Sequence, residues 1–123
     1  GECYEQAQHR AADGGRTKNG NSVVEGLPFL IKDLSPLADL PQSNGSRLYQ
    51  GFIPTHNAAI VQRYLDAGLI GLGKTNTPEF GLTLTTEPVA NGATRNPWNQ
   101  GFSTGGSSGG AAAAAETRLW AGS

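Results

Sequence analysis

The sequence predicts an α/β fold, and three observations carry that prediction. A short apolar run, Phe29-Leu30-Ile31, follows Pro28. Apolar residues then recur at helical spacing at Ile60, Val61, Tyr64 and Leu65. A second apolar stretch, Leu69 to Gly73, comes directly after. A continuous apolar run suits a strand buried on both faces, as in a parallel sheet. A helix leading into such a strand is the second half of an α/β unit.

Taken in order, residues 1–25 read as a polar segment or linker, with DGGRTKNGNS as a loop. Residues 26–123 read as the folded part. The first strand is centred on Phe29 to Ile31. Residues 35–55 are rich in Pro, Ser, Asn and Gly, and Asn44-Gly45 signals a turn. Asn44-Gly45-Ser46 also fits a glycosylation sequon, which is read as chance. Thr55 or Asn57 is the expected cap of the helix over 60–65, and Gly68 stands where that helix stops. Leu69 to Gly73 is the second strand, with Lys74 at its end. Thr77 is the expected cap of a short helix beginning at Pro78. The run AAAAAE, from Ala111, makes a strong helix start.

Composition narrows the function classes. The chain has 123 residues, with 37% hydrophobic and 15% charged, ordinary for a globular chain of one small domain. Net charge is -1, so nothing points to nucleic acid or an anionic membrane as partner. Cys3 is the single cysteine and cannot form an intramolecular disulfide. No Cys/His cluster offers a metal site, and no cofactor is expected. No apolar run approaches the roughly 20 residues that span a bilayer. The N-terminal GECYEQAQHR lacks the apolar core of a secretory leader, so the expected location is cytoplasmic.

Two glycine-rich stretches invite a functional reading. GLIGLGKT, Gly68 to Thr75, fits the phosphate-loop pattern G-x-x-x-x-G-K-[ST] letter for letter. That loop needs a strand before its first glycine and a helix starting at its Lys-Thr, so that backbone N–H groups face the phosphates. Here the helical pattern precedes Gly68, and the variable positions are apolar strand formers. An NTPase is therefore not expected. The second stretch, STGGSSGG, fits a flexible linker by composition. It runs straight into the alanine helix, however. Glycines there let backbone approach something closely at the positive end of the helix dipole, which fits a functional loop equally well.

The order of motifs adds to this. GLPFLIKD, then GKTNTPEFG, TRNPWN and GGSSGGAAAA, resembles the amidase signature family over about Gly26 to Ala115. The nearest likeness is to bacterial amidases acting on small or linear amides, nylon-oligomer hydrolases among them. The resemblance implies the N-terminal part of the amidase signature fold, a mixed β-sheet core flanked by α-helices. It implies amide-bond hydrolysis by a Ser-cisSer-Lys triad through an acyl-enzyme. Lys32 matches the family's catalytic lysine and Ser107 its bridging serine, which follows a cis peptide bond. A neutral lysine amine can take a proton from Ser107, which takes one from the nucleophilic serine. The implied substrate is a small-molecule or oligomeric amide.

Other residues carry plainer readings. A lysine at a strand end often extends to water instead of acting as a base. Ser108 reads as a support of the loop or a cap of the following helix. Asp33 is an ion-pair partner or a polar strand end. His9 and His56 read as surface or capping residues. Phe80, Trp98, Trp120 and the set Thr83, Thr85, Thr86 read as packing or strand positions. The family's nucleophile lies in a G-G-S-type motif about two dozen residues after the bridging serine, which falls beyond Ser123. The expectation is an N-terminal fragment holding two triad members and inactive alone. The remainder of the amidase chain or a partner chain would complete it, and a homo-oligomer is compatible. The alternative is a non-catalytic fragment or subunit that needs a partner chain.

Overall fold

The computed structural model of this chain describes residues 22–117. The readings of Cys3, His9, Trp120, Ser123 and most of the N-terminal polar segment lie outside the described residues. Contacts divide the described chain into two units. The first holds residues up to Ile31, Ser35–Leu40 and Pro54–Lys74; the second holds Lys32–Leu34, Pro41–Ile53 and the chain from Thr75 on.

The secondary structure is the α/β arrangement the apolar pattern predicts. Strand β1 spans Pro28–Lys32 and strand β2 spans Ile70–Thr75, paired in one two-stranded sheet. Ile70 N donates to Leu27 O at 2.8 Å and Asp33 N to Thr75 O at 3.0 Å, so the strands run parallel. Parallel strands need a crossover, here containing helix α1, Ala59–Asp66. Strand β2 extends two residues beyond the expected end, through Lys74 and Thr75, which rules out a glycine loop there. Lys74 Nζ donates to Ser35 O at 2.7 Å.

In the first unit, Ile31, Leu37, Leu40 and Val61 form the buried core, with Phe29, Ala58 and Leu65 packed against it. The α1 spacing turns Val61 and Leu65 inward and leaves Gln62, Arg63 and Asp66 exposed. Phe29 and Tyr64 lie with ring centroids 5.0 Å apart. Gly71 lies against this core: a Cβ there would meet Ile31 Cδ1 at 3.7 Å.

The ends of α1 differ in how well the sequence foretells them. At the start, neither Thr55 nor Asn57 caps; the N-cap is Ala58, without a side-chain bond. Asn57 is drawn elsewhere, its Oδ1 accepting from Ala38 N at 2.8 Å and its Nδ2 donating to Gln62 Oε1 at 2.9 Å. At the end, Gly68 has φ +89°. Gly68 N donates to Leu65 O at 2.9 Å and Leu69 N to Tyr64 O at 3.1 Å, the paired bonds of a Schellman stop.

The second unit is mostly loops. The Asn44-Gly45 turn forms, with φ +51° and +67°. A Cβ at Gly45 would lie 2.6 Å from Thr77 O, so only glycine fits. A 3-10 turn follows over Arg47–Tyr49, and its Ser46 side chain accepts from Leu48 N at 3.3 Å. A second, Glu79–Gly81, replaces the helix expected from Pro78. Thr77 does not cap it; the residue is fully buried. Helix α2, Gly109–Glu116, is the expected alanine helix, begun two residues earlier. Residues 83–85 are bends and none of Thr83, Thr85 and Thr86 lies in a strand; of the packing-or-strand reading, Thr86 is buried while Thr83 and Thr85 are exposed. Trp98, expected to pack, is 82% exposed. His56 is exposed.

Candidate active site

The site lies where the end of β1 meets the loop before α2, both within the second unit. Lys32 closes β1, after three apolar residues of which Ile31 is buried and Phe29 and Leu30 half-buried; its own side chain is half-buried. Its Nζ donates to Ser107 Oγ at 2.6 Å and to Ser108 Oγ at 3.1 Å. Lys32 and Ser107 stand 75 positions apart in sequence. The structure thus brings both sequence-selected residues together, and adds Ser108.

The Ser107 loop is shaped by what its glycines leave out. The Gly106–Ser107 peptide is cis. A Cβ at Gly106 would lie 2.8 Å from Thr85 O, and one at Gly109 would collide with the Thr86 and Thr104 hydroxyls. Gly105 takes φ +71°. Gly106, Gly109 and Gly110 therefore leave no room for a side chain, Gly105 serves a positive φ, and the linker reading of STGGSSGG does not hold.

Ser108 occupies the N-cap position of α2 but makes no side-chain cap bond. Its hydroxyl turns instead to Lys32. The first turn of α2 gains a partner from a distance: Gly109 N donates to Thr86 Oγ1 at 3.1 Å. Thr86 Oγ1 in turn donates to Gly105 O at 2.9 Å. Thr77 Oγ1 donates to Ser107 O at 3.5 Å.

Asp33, next to Lys32, is buried. Its Oδ2 accepts from Ser43 N at 2.9 Å and from Ser43 Oγ. Asn91 Nδ2 donates to Ser43 Oγ at 2.8 Å and to Asn76 Oδ1 at 3.2 Å. Asn76 Nδ2 reaches Gly92 O at 3.0 Å and Thr94 Oγ1 at 2.9 Å. This chain of polar contacts ties the residues following β1 and β2 to the loop around Gly92. Sequence reasoning gave Thr77 and Thr86 other roles and passed over Asn76 and Asn91. Only their proximity to the matched motifs could have flagged them, because each acts through partners far along the chain.

Among the described residues no group of three His, Cys, Asp or Glu could hold a metal ion. No helix among them is long and apolar enough to cross a membrane.

Known proteins resemble this chain in sequence and in fold. The family model described as Amidase matches residues 2–120. The chain is 50% identical over 97 residues to the 6-aminohexanoate-cyclic-dimer hydrolase of Paenarthrobacter ureafaciens, covering 76% of this chain and 20% of that protein. It is 42% identical over 106 residues to a glutamyl-tRNA(Gln) amidotransferase subunit of Desulfotalea psychrophila, covering 86% of this chain and 22% of the relative. A solved 6-aminohexanoate cyclic dimer hydrolase in complex with substrate superposes with TM-score 0.77 at 41% identity, over 90% of this chain and 23% of that one. The chain thus spans about a fifth of the length of these relatives, and on the family match and these likenesses it belongs to the amidase family.

Proposed function

We propose that this chain carries the base and the proton relay of an amide hydrolase. One observation bears most of the weight: Lys32 Nζ and Ser107 Oγ lie 2.6 Å apart. That is hydrogen-bonding reach for proton transfer between residues joined only by the fold. In its neutral form the Lys32 amine takes the Ser107 proton. Ser107 takes one from a nucleophilic serine supplied by chain outside these 123 residues. That serine adds to the amide carbonyl carbon. The C–N bond breaks, the amine leaves with a proton returned through the relay, and an ester to the serine remains. Water then cleaves the ester, releasing the acid and restoring the serine.

The substrate class we assign is a small-molecule or oligomeric amide. The hydrolase relatives, named for a cyclic dimer of 6-aminohexanoate, support that class. A cytoplasmic location goes with the reading. Residues 26–123 would form the N-terminal part of the catalytic domain, behind a polar segment over 1–25.

A second reading gives the chain a partner that completes it. The exposed side chains Leu82, Leu84, Val89 and Phe102 favour a covering segment. The amidotransferase relative is by name one subunit of an enzyme.

The test is turnover of a small aryl amide by the full-length protein containing this chain. Lys32→Ala and Ser107→Ala should each lower kcat by at least about a thousandfold, in line with losses of triad members elsewhere. Near-normal kcat in either folded variant would remove the assignment.

A further inference from the structure

We infer that Thr86 is a positioning residue that holds Ser107 against Lys32, an assignment that rests on the amidase reading for its catalytic consequence. Thr86 is fully buried, 0% exposed, yet it stands in a stretch whose neighbours Leu84, Thr85 and Glu87 are exposed. A buried hydroxyl costs free energy unless it finds partners. This one finds two. It donates to Gly105 O at 2.9 Å and accepts from Gly109 N at 3.1 Å.

Those partners bracket Ser107 symmetrically, two residues before it and two after. One side chain therefore clamps both ends of the segment Gly105–Gly109, and Ser107 is its midpoint. Both bonded groups are backbone, so the clamp sets the path of the main chain itself. Gly109 N is also one of the first N–H groups of α2, which have no partner inside the helix. With Ser108 turned to Lys32, Thr86 supplies the bond that a local cap would otherwise give. The arrangement leaves the Ser108 hydroxyl free of capping duty.

No other side-chain bond among the described residues fixes this loop at both ends. Thr104 Oγ1 reaches Gly105 O at 3.4 Å and so touches one end weakly. Thr77 Oγ1 reaches Ser107 O at 3.5 Å, at the limit of a hydrogen bond. Gly109 has no room for a Cβ because the Thr86 and Thr104 hydroxyls occupy the place. The loop thus closes directly onto the Thr86 oxygen.

The experiment compares Thr86→Val, Thr86→Ser and Thr86→Cys in the full-length protein, with two readouts. The first is steady-state hydrolysis of an aryl amide. Thr86→Val keeps shape and removes both bonds; kcat should fall about tenfold to a hundredfold with KM changed less than about threefold, since a misplacement near 1 Å can cost about a hundredfold. Thr86→Ser keeps both bonds and should hold kcat within about threefold. Thr86→Cys keeps a weaker donor and acceptor and should fall between. The second readout is the crystallographic Lys32 Nζ–Ser107 Oγ separation, which needs no activity. It should stay near the parent value in Thr86→Ser and open beyond hydrogen-bonding reach in Thr86→Val.

Should Thr86→Val not fold, the Cys variant decides in both readouts. Parent-like kcat and an unmoved Lys32–Ser107 pair in a folded Val or Cys variant would overturn the inference. A parent protein without amide turnover, but with the pair opening in Thr86→Val, would sink the hydrolase reading and leave the positioning role standing.

Discussion

Gly106 precedes Ser107 and has no space for a side chain. A Cβ there would press to 2.8 Å from Thr85 O, a backbone atom that cannot swing aside. Gly106→Ala should therefore displace the Ser107 loop and lower kcat of the full-length protein at least about tenfold. Steady-state kinetics on the folded variant checks this, and an unchanged kcat would show that the loop accommodates the methyl group. Gly106 was legible in the sequence as a glycine of a special loop, though not as a contact with residue 85. Lys32 and Ser107 were legible because each sits in a short, distinctive string of letters, FLIKD and GGSSGG. What surrounds them was less so, for a physical reason. Thr86 bonds to residues 19 and 23 positions away, and no local pattern in TLTTEP encodes that. A threonine between exposed neighbours reads from sequence as ordinary packing. Trp98 erred in the opposite direction. A large aromatic predicts burial, but no described part of the chain covers it, and it stands 82% exposed.

Among elements, the β1–α1–β2 unit was the most readable part. Its signals are periodic and local: apolar runs for strands, a 3.6-residue stripe for α1, a glycine at its stop. Helix starts were harder, because a cap is a competition for side chains. Asn57 bonds to Ala38 and Gln62 and leaves α1 uncapped, while α2 takes its bond from Thr86 instead of its own Ser108. The α1 stop gives a stability prediction. Gly68 at φ +89° stands at the terminal bonds of the helix, and an L side chain there meets its own backbone. Gly68→Ala should lower unfolding free energy by about 1 kcal/mol, with m unchanged in denaturant titration. Beside it, Val61 is wholly buried in the core. Val61→Ala should cost roughly 2 kcal/mol through lost transfer energy and the space left behind. The same element order bears on the phosphate-loop pattern. The residues of GLIGLGKT from Ile70 on are strand, and Lys74 Nζ is held by Ser35 O. Isothermal titration with magnesium-ATP should give no saturable heat; a signal lost in Lys74→Ala would revive nucleotide binding.

For the molecule as a whole, the balance of buried and exposed apolar surface is uneven. The fully buried hydrophobic core among the described residues is Ile31, Leu37, Leu40 and Val61, all in the first unit. The second unit carries the candidate site, and its Leu82, Leu84, Val89, Trp98 and Phe102 remain exposed. These exposed apolar side chains are the ones the covering segment proposed above would bury. The chain also spans only 20% of the 6-aminohexanoate-cyclic-dimer hydrolase and 23% of the solved hydrolase chain. Both observations lead to one expectation for the 123 residues produced alone. They should bind a hydrophobic dye strongly and hydrolyse an aryl amide no faster than background. On the roles proposed above, a base and a relay need a nucleophile and oxyanion donors to build the acyl-enzyme. Joined to the remaining chain of a complete amidase, the same residues should lose the dye signal and gain turnover that depends on Lys32. The assay sets the mass-checked 123-residue chain beside the complete protein at equal concentration. Comparable turnover from the short chain would mean that the nucleophile lies within it, and Ser108 and then Ser123 would be the first residues to replace by alanine.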